Sequence, residues 1–84
     1  MNAVSNSEID LGEVYEAIQV LIENYVEGDK QRELLSMIVS FRSKEQFPPG
    51  KGILYEIDQS KNETGKKLSK EHADLYKFVC EACI

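Results

Sequence analysis

Seven apolar side chains near the amino end, Leu11, Val14, Tyr15, Ile18, Leu21, Ile22 and Tyr25, recur at three-and-four spacing. That period winds them onto one stripe of an α-helix, whereas a strand would scatter them over both its faces. Asp10 precedes the stripe as a cap, with Glu13 three residues on as in a capping box. Gly28 marks the expected stop, because glycine accepts the left-handed backbone that helix ends often need.

A second helix is expected from a cap at Asp29 to about Lys44, with Leu34, Met37, Ile38 and Phe41 facing inward. Leu35 and Val39 form another stripe, on the side of Gln31 and Arg42. A helix buried on one face does not need it. Either this helix is buried more widely, or the stripe touches something outside the domain. Phe47-Pro48-Pro49-Gly50 then breaks the helix, since the two prolines lack amide donors and have fixed φ angles. The run Ile53-Leu54-Tyr55-Glu56-Ile57 fits a strand or one helical turn. A strand would have no partner elsewhere in the chain, so a single turn is expected. Residues 58–66 are polar and read as a loop. A last helix is capped by Ser69 and runs to about Ala82, burying Leu75, Tyr76, Val79 and Ala82 with Phe78 alongside. The expected fold is all-α: a small antiparallel four-helix bundle with a very short third helix. It forms one domain over residues 1–84, loose over 1–8.

A chain of 84 residues buries only roughly 60% of the surface it exposes when unfolded, which leaves little room for a deep substrate cavity. No apolar run approaches the roughly 20 residues that span a bilayer. Residues 1–7 have neither the basic residues nor the apolar core of a signal peptide, so a cytoplasmic location is expected. The net charge is −5 and unevenly placed. Residues 1–29 hold Glu8, Asp10, Glu13, Glu16, Glu23, Glu27 and Asp29 and no Lys or Arg. Such a region repels nucleic-acid phosphates and steers in a basic partner.

Catalytic chemistry finds little support. His72 is the only histidine, and it sits beside Glu71 in the first turn of the last helix, read as a surface position. Glu13 and Glu16 lie on an exposed face, unlike a buried general acid. Cys80 and Cys83 form a Cys-x-x-Cys at the carboxyl end of a helix, whereas a redox pair favours the amino end. A zinc site would need two further ligands. No enzyme activity, cofactor, metal, membrane contact or small-molecule substrate is expected.

The stretch Leu34–Tyr55 resembles the immunity proteins of DNase-type colicins and pyocins. A helix ends in Leu34-Leu35-Ser36-Met37-Ile38-Val39-Ser40-Phe41; Pro48 follows seven residues past the Phe, then Gly50, then Ile53-Leu54-Tyr55. Length, acidity and element order agree as well. The resemblance implies a four-helix domain that binds the basic nuclease domain of a cognate toxin beside its active site and excludes DNA. In that family a tyrosine pair on the short third helix anchors the complex, and the second helix selects the partner. Tyr55 matches the first tyrosine, and Gln31, Leu35, Ile38, Val39 and Arg42 match the selecting positions. Glu56 stands at the second tyrosine, Ile57 at the following proline, and Gly52, after Lys51, at an aspartate. The family's Ser-Pro-x-Gly lead into the last helix and its tryptophan are missing. Glu23, Glu27 and Asp29 would supply the negative rim that the second helix lacks. The alternative is an unrelated small acidic helical adaptor.

Overall fold

The computed structural model describes residues 10–83. They form four helices: α1 (Leu11–Tyr25), α2 (Gly28–Ser43), α3 (Gly50–Thr64) and α4 (Lys70–Ala82). No strand occurs among the described residues. The looseness expected of residues 1–8 lies outside them. α1 packs against each of the other three helices, and α3 also packs against α4. Its sequence explains this central place. Val14, Tyr15, Ala17, Ile18, Leu21, Ile22 and Tyr25 are all buried, a wider apolar arc than any other helix offers.

Asp10 caps α1 as expected, its carboxylate accepting the Gly12 N–H at 2.9 Å. The helix stops at Tyr25, before Gly28, because Val26 turns inward and is wholly buried. Gly28 then reverses the chain with φ +70°. Asp29 lies in the first turn of α2 instead of capping it.

α2 and α3 end in the same hydrogen-bond pattern. In α2 the N–H groups of Glu45 and Gln46 donate to the carbonyls of Arg42 and Phe41. In α3 those of Gly65 and Lys66 donate to Asn62 and Lys61. Both are Schellman motifs, whose pivotal residue takes a left-handed backbone. Gly65 accepts this easily at φ +73°; Glu45 adopts φ 54° as a non-glycine residue. Tyr15 of α1 steadies the strained end, its hydroxyl donating to the Gln46 carbonyl beside that of Phe41.

The third helix departs most from expectation. In place of one turn over 53–57 it has 15 residues. Gly50, Ile53, Leu54 and Ile57 are buried at helical spacing, so the apolar run belongs to an amphipathic helix. Beyond Ile57 the polar residues expected to form a loop continue the helix. Asp58 accepts a 2.7 Å hydrogen bond from the Tyr76 hydroxyl of α4, and Gly65 provides the stop. Polar composition alone does not prevent a helix whose outer face meets water. Ser69 caps α4 as expected, accepting the His72 N–H at 3.1 Å. Val79 is fully buried, while Leu75, Tyr76, Phe78 and Ala82 are partly buried against the core.

Candidate protein-docking face

The exposed large apolar side chains among the described residues are Met37 (37%), Val39 (65%), Phe47 (52%) and Tyr55 (61%). All lie between the second half of α2 and the first half of α3. Of the four tyrosines, Tyr15 and Tyr25 are buried. Tyr15, Tyr25 and Tyr76 each hydrogen-bond through their hydroxyls to another part of the fold. Tyr55 makes no such bond to a described residue. It stands two positions from both Ile53 and Ile57, about 200° around the helix from each, and so faces away from the core.

On α2, Met37 and Val39 fall about 100° to either side of buried Ile38. The Met37 flank faces α3 across a cleft of about 250 Å³, lined in part by Lys30, Glu33, Leu34, Gly52 and Glu56. Lys30 bridges the cleft, 3.3 Å from Glu56 and 3.7 Å from Glu33. Met37 was expected to point inward. It is exposed because α2 is covered chiefly by α1, leaving that edge of the helix at the mouth of the cleft. Neither Met37 nor Phe47 was singled out as a contact residue. Spacing alone does not tell which flank of a half-buried helix stays open.

The positions expected to select a partner are therefore divided. Val39 and Arg42 are exposed, on the flank away from α3. Leu35 is half-buried and packs on the core. Ile38 is only 3% exposed, which corrects its placement as a contact residue: its side chain fills the interior. Gln31 is half-buried, and its amide donates to the carbonyls of Val26 at 2.8 Å and Glu23 at 3.3 Å. It thus satisfies the carboxyl end of α1. Lys51 and Gly52 are exposed beside Tyr55, and Glu56 is half-buried against Lys30.

The acidic rim is exposed but largely neutralised. Glu27 pairs with Lys66 at 3.1 Å and Asp29 with Arg32. Glu23 accepts a hydrogen bond from Gln19 at 3.3 Å. Exposed pairs of this kind add little stability, on the order of 0–1 kcal/mol, but they do cancel local charge.

His72 is half-buried instead of lying on the surface, because Tyr25 reaches it. The Tyr25 hydroxyl is 2.7 Å from Nδ1, and the rings meet edge to face at 5.3 Å. The same hydroxyl accepts the Ser69 N–H at 3.3 Å, so this pair fastens the start of α4 to α1. Burial raises the Tyr76 phenol to about 12, reinforced by the carboxylate of Asp58. Burial likewise raises the Cys83 thiol, against the lowering effect of a hydrogen bond from Gly50. Cys80 is exposed. Among the described residues no group of three or more His, Cys, Asp or Glu is arranged to hold a metal ion, and no helix is long and apolar enough to cross a membrane.

Compared with known proteins, the chain matches no family model, no curated protein and no solved structure.

Proposed function

We propose that this protein is a non-catalytic, cytoplasmic inhibitor of the immunity type, which binds the basic nuclease domain of a bacteriocin-type toxin and keeps DNA from its active site. The carrying observation is Tyr55. Among the described residues it is the one tyrosine whose hydroxyl has no hydrogen-bond partner, and it is held outward on a helix whose other face is locked in the core. A rigidly presented tyrosine ring is among the side chains enriched at the energetic centre of an interface, alongside Trp and Arg. The spacing from Leu34 to Tyr55, which resembles the DNase immunity proteins, supplies the class of partner. Met37 and Phe47 join Tyr55 as candidate contacts, with Lys51, Gly52 and Glu56 around it and Val39 and Arg42 at the far edge. The four helices are read as a small antiparallel bundle, supported by the packing of all three partners on α1.

One observation favours the second reading, an unrelated acidic helical adaptor. α3 has 15 residues, whereas the resemblance implies a very short third helix. The adaptor would use the same Tyr55 face for a different protein.

The deciding experiment pairs the purified chain with the toxin encoded beside its gene. Tyr55→Ala is expected to weaken binding by about 2 kcal/mol or more while changing folding stability by less than about 0.5 kcal/mol. Full inhibition by the Tyr55→Ala protein would remove Tyr55 as the anchor. A neighbouring gene without a basic nuclease domain would favour the adaptor.

A further inference from the structure

A second recognition surface lies away from Tyr55. Between α1 and α4 runs a shallow groove of about 300 Å³, lined by Glu13, Glu16, Ala17, Val20, Leu75 and Phe78. That volume is at the low end of the roughly 300–1,000 Å³ of small-molecule sites, enough for one or two apolar side chains. Its floor is apolar: Ala17 is buried, and Val20, Leu75 and Phe78 are half-buried. Its edge is acidic. Glu13 and Glu16 are exposed, and neither has an ion-pair partner among the described residues. Glu71 continues the charge on α4, because it falls within about 20° of Phe78 around that helix, whereas Lys70 and Lys77 fall about 80–100° away on its outer side. α1 itself contains no Lys or Arg.

We infer that the α1–α4 groove docks a basic amphipathic segment of another protein, an apolar side chain seated on Val20, Leu75 and Phe78 and flanking Lys or Arg residues meeting Glu13 and Glu16. The complementarity is one of charge. Uncompensated carboxylates around an apolar floor disfavour an acidic occupant and draw in a cationic one. This inference stands on residues separate from the Tyr55 face and survives if that face has a different partner.

The test titrates the isotopically labelled full chain with a short synthetic helix carrying leucines on one face and lysines on the other, followed by NMR. A control peptide carries glutamates in place of the lysines. The basic peptide is expected to shift the amides of Ala17, Val20, Leu75 and Phe78. Its affinity should fall about tenfold or more when the ionic strength rises from low salt to about 0.5 M. Glu13→Lys with Glu16→Lys, two exposed positions that leave the core intact, should weaken binding about tenfold, and Tyr55→Ala should leave it unchanged. Equal binding of the acidic peptide, shifts centred on Met37 and Tyr55, or an undiminished affinity in the double variant would each overturn the inference. So would concentration-dependent shifts of the groove amides without peptide, which would assign the groove to a second copy of the chain.

Discussion

Glu56 on α3 sits 3.3 Å from Lys30 on α2, whereas Glu13 and Glu16 on α1 have no cation in ion-pair reach among the described residues. The contrast extends to the apolar surface. On the α2–α3 side Met37, Phe47 and Tyr55 project into solvent, with Val39 exposed on the other flank of α2, while Glu33 and Glu56 share Lys30. On the α1–α4 side the apolar groups are recessed and carboxylates stand unpaired at the rim. Desolvated aromatic and aliphatic contacts chiefly slow the dissociation of a complex, whereas exposed charge chiefly speeds its encounter. The two sides are thus suited to different parts of a binding reaction. α1 supports both, because its buried arc backs all three other helices.

The severest challenge to this picture removes that shared support. Leu21→Ala is expected to cost about 2–5 kcal/mol in denaturant unfolding, whereas Val39→Ala, at an exposed position, should change little. A loss below 1 kcal/mol for Leu21→Ala would break the view of α1 as the common base. Gly50→Ala tests the seam where the α3 side meets α4. A Cβ there would come within 2.5 Å of the Cys83 Cβ, at a cost of about 1–3 kcal/mol. Cys83→Gly in the same chain should recover much of the loss.

A smaller effect is expected at the Asp58–Tyr76 bond, which joins α3 to α4. Tyr76→Phe should cost about 1 kcal/mol. The phenol is raised from its ordinary 10.0 to about 12 in the folded chain. The fold therefore favours the neutral form, and its stabilisation is complete below pH 10 and lost as the pH rises from 10 toward 12. The Tyr76→Phe protein should lack this component of alkaline destabilisation; identical pH profiles would remove it. The smallest change compares the two Schellman ends. Glu45→Gly should stabilise the chain by about 0.5–1 kcal/mol, read as a raised melting temperature, with Gly65 as the precedent within the same molecule.

The candidate face was legible in part. Tyr55, Val39 and Arg42 are exposed, as a contact role requires, and the prolines before α3 sit where the break was expected. Ile38 was misassigned, whereas Gln31 is half-buried and engaged within the fold. Ile38 lies at the centre of the α2 stripe and fills the core, whereas Gln31 is held by carbonyls of α1 and the turn that follows it. Met37 was placed inward and Phe47 was read only as part of the break, because their exposure depends on how the neighbouring helices cover α2.

What the sequence determined by itself is what neighbouring residues dictate: an all-helical chain, the buried stripe of α1, caps at Asp10 and Ser69, and a break at Pro48-Pro49. Hydrogen-bond donors, fixed φ angles and a period of three and four act within a turn or two. Only the tertiary structure decided the length of α3, the open flank of α2 and the fastening of His72. Each depends on a partner distant along the chain. The carboxylate of Asp58 meets the hydroxyl of Tyr76, 18 residues away, and Tyr25 meets His72 at a separation of 47. A local pattern carries no record of such partners until the helices have packed.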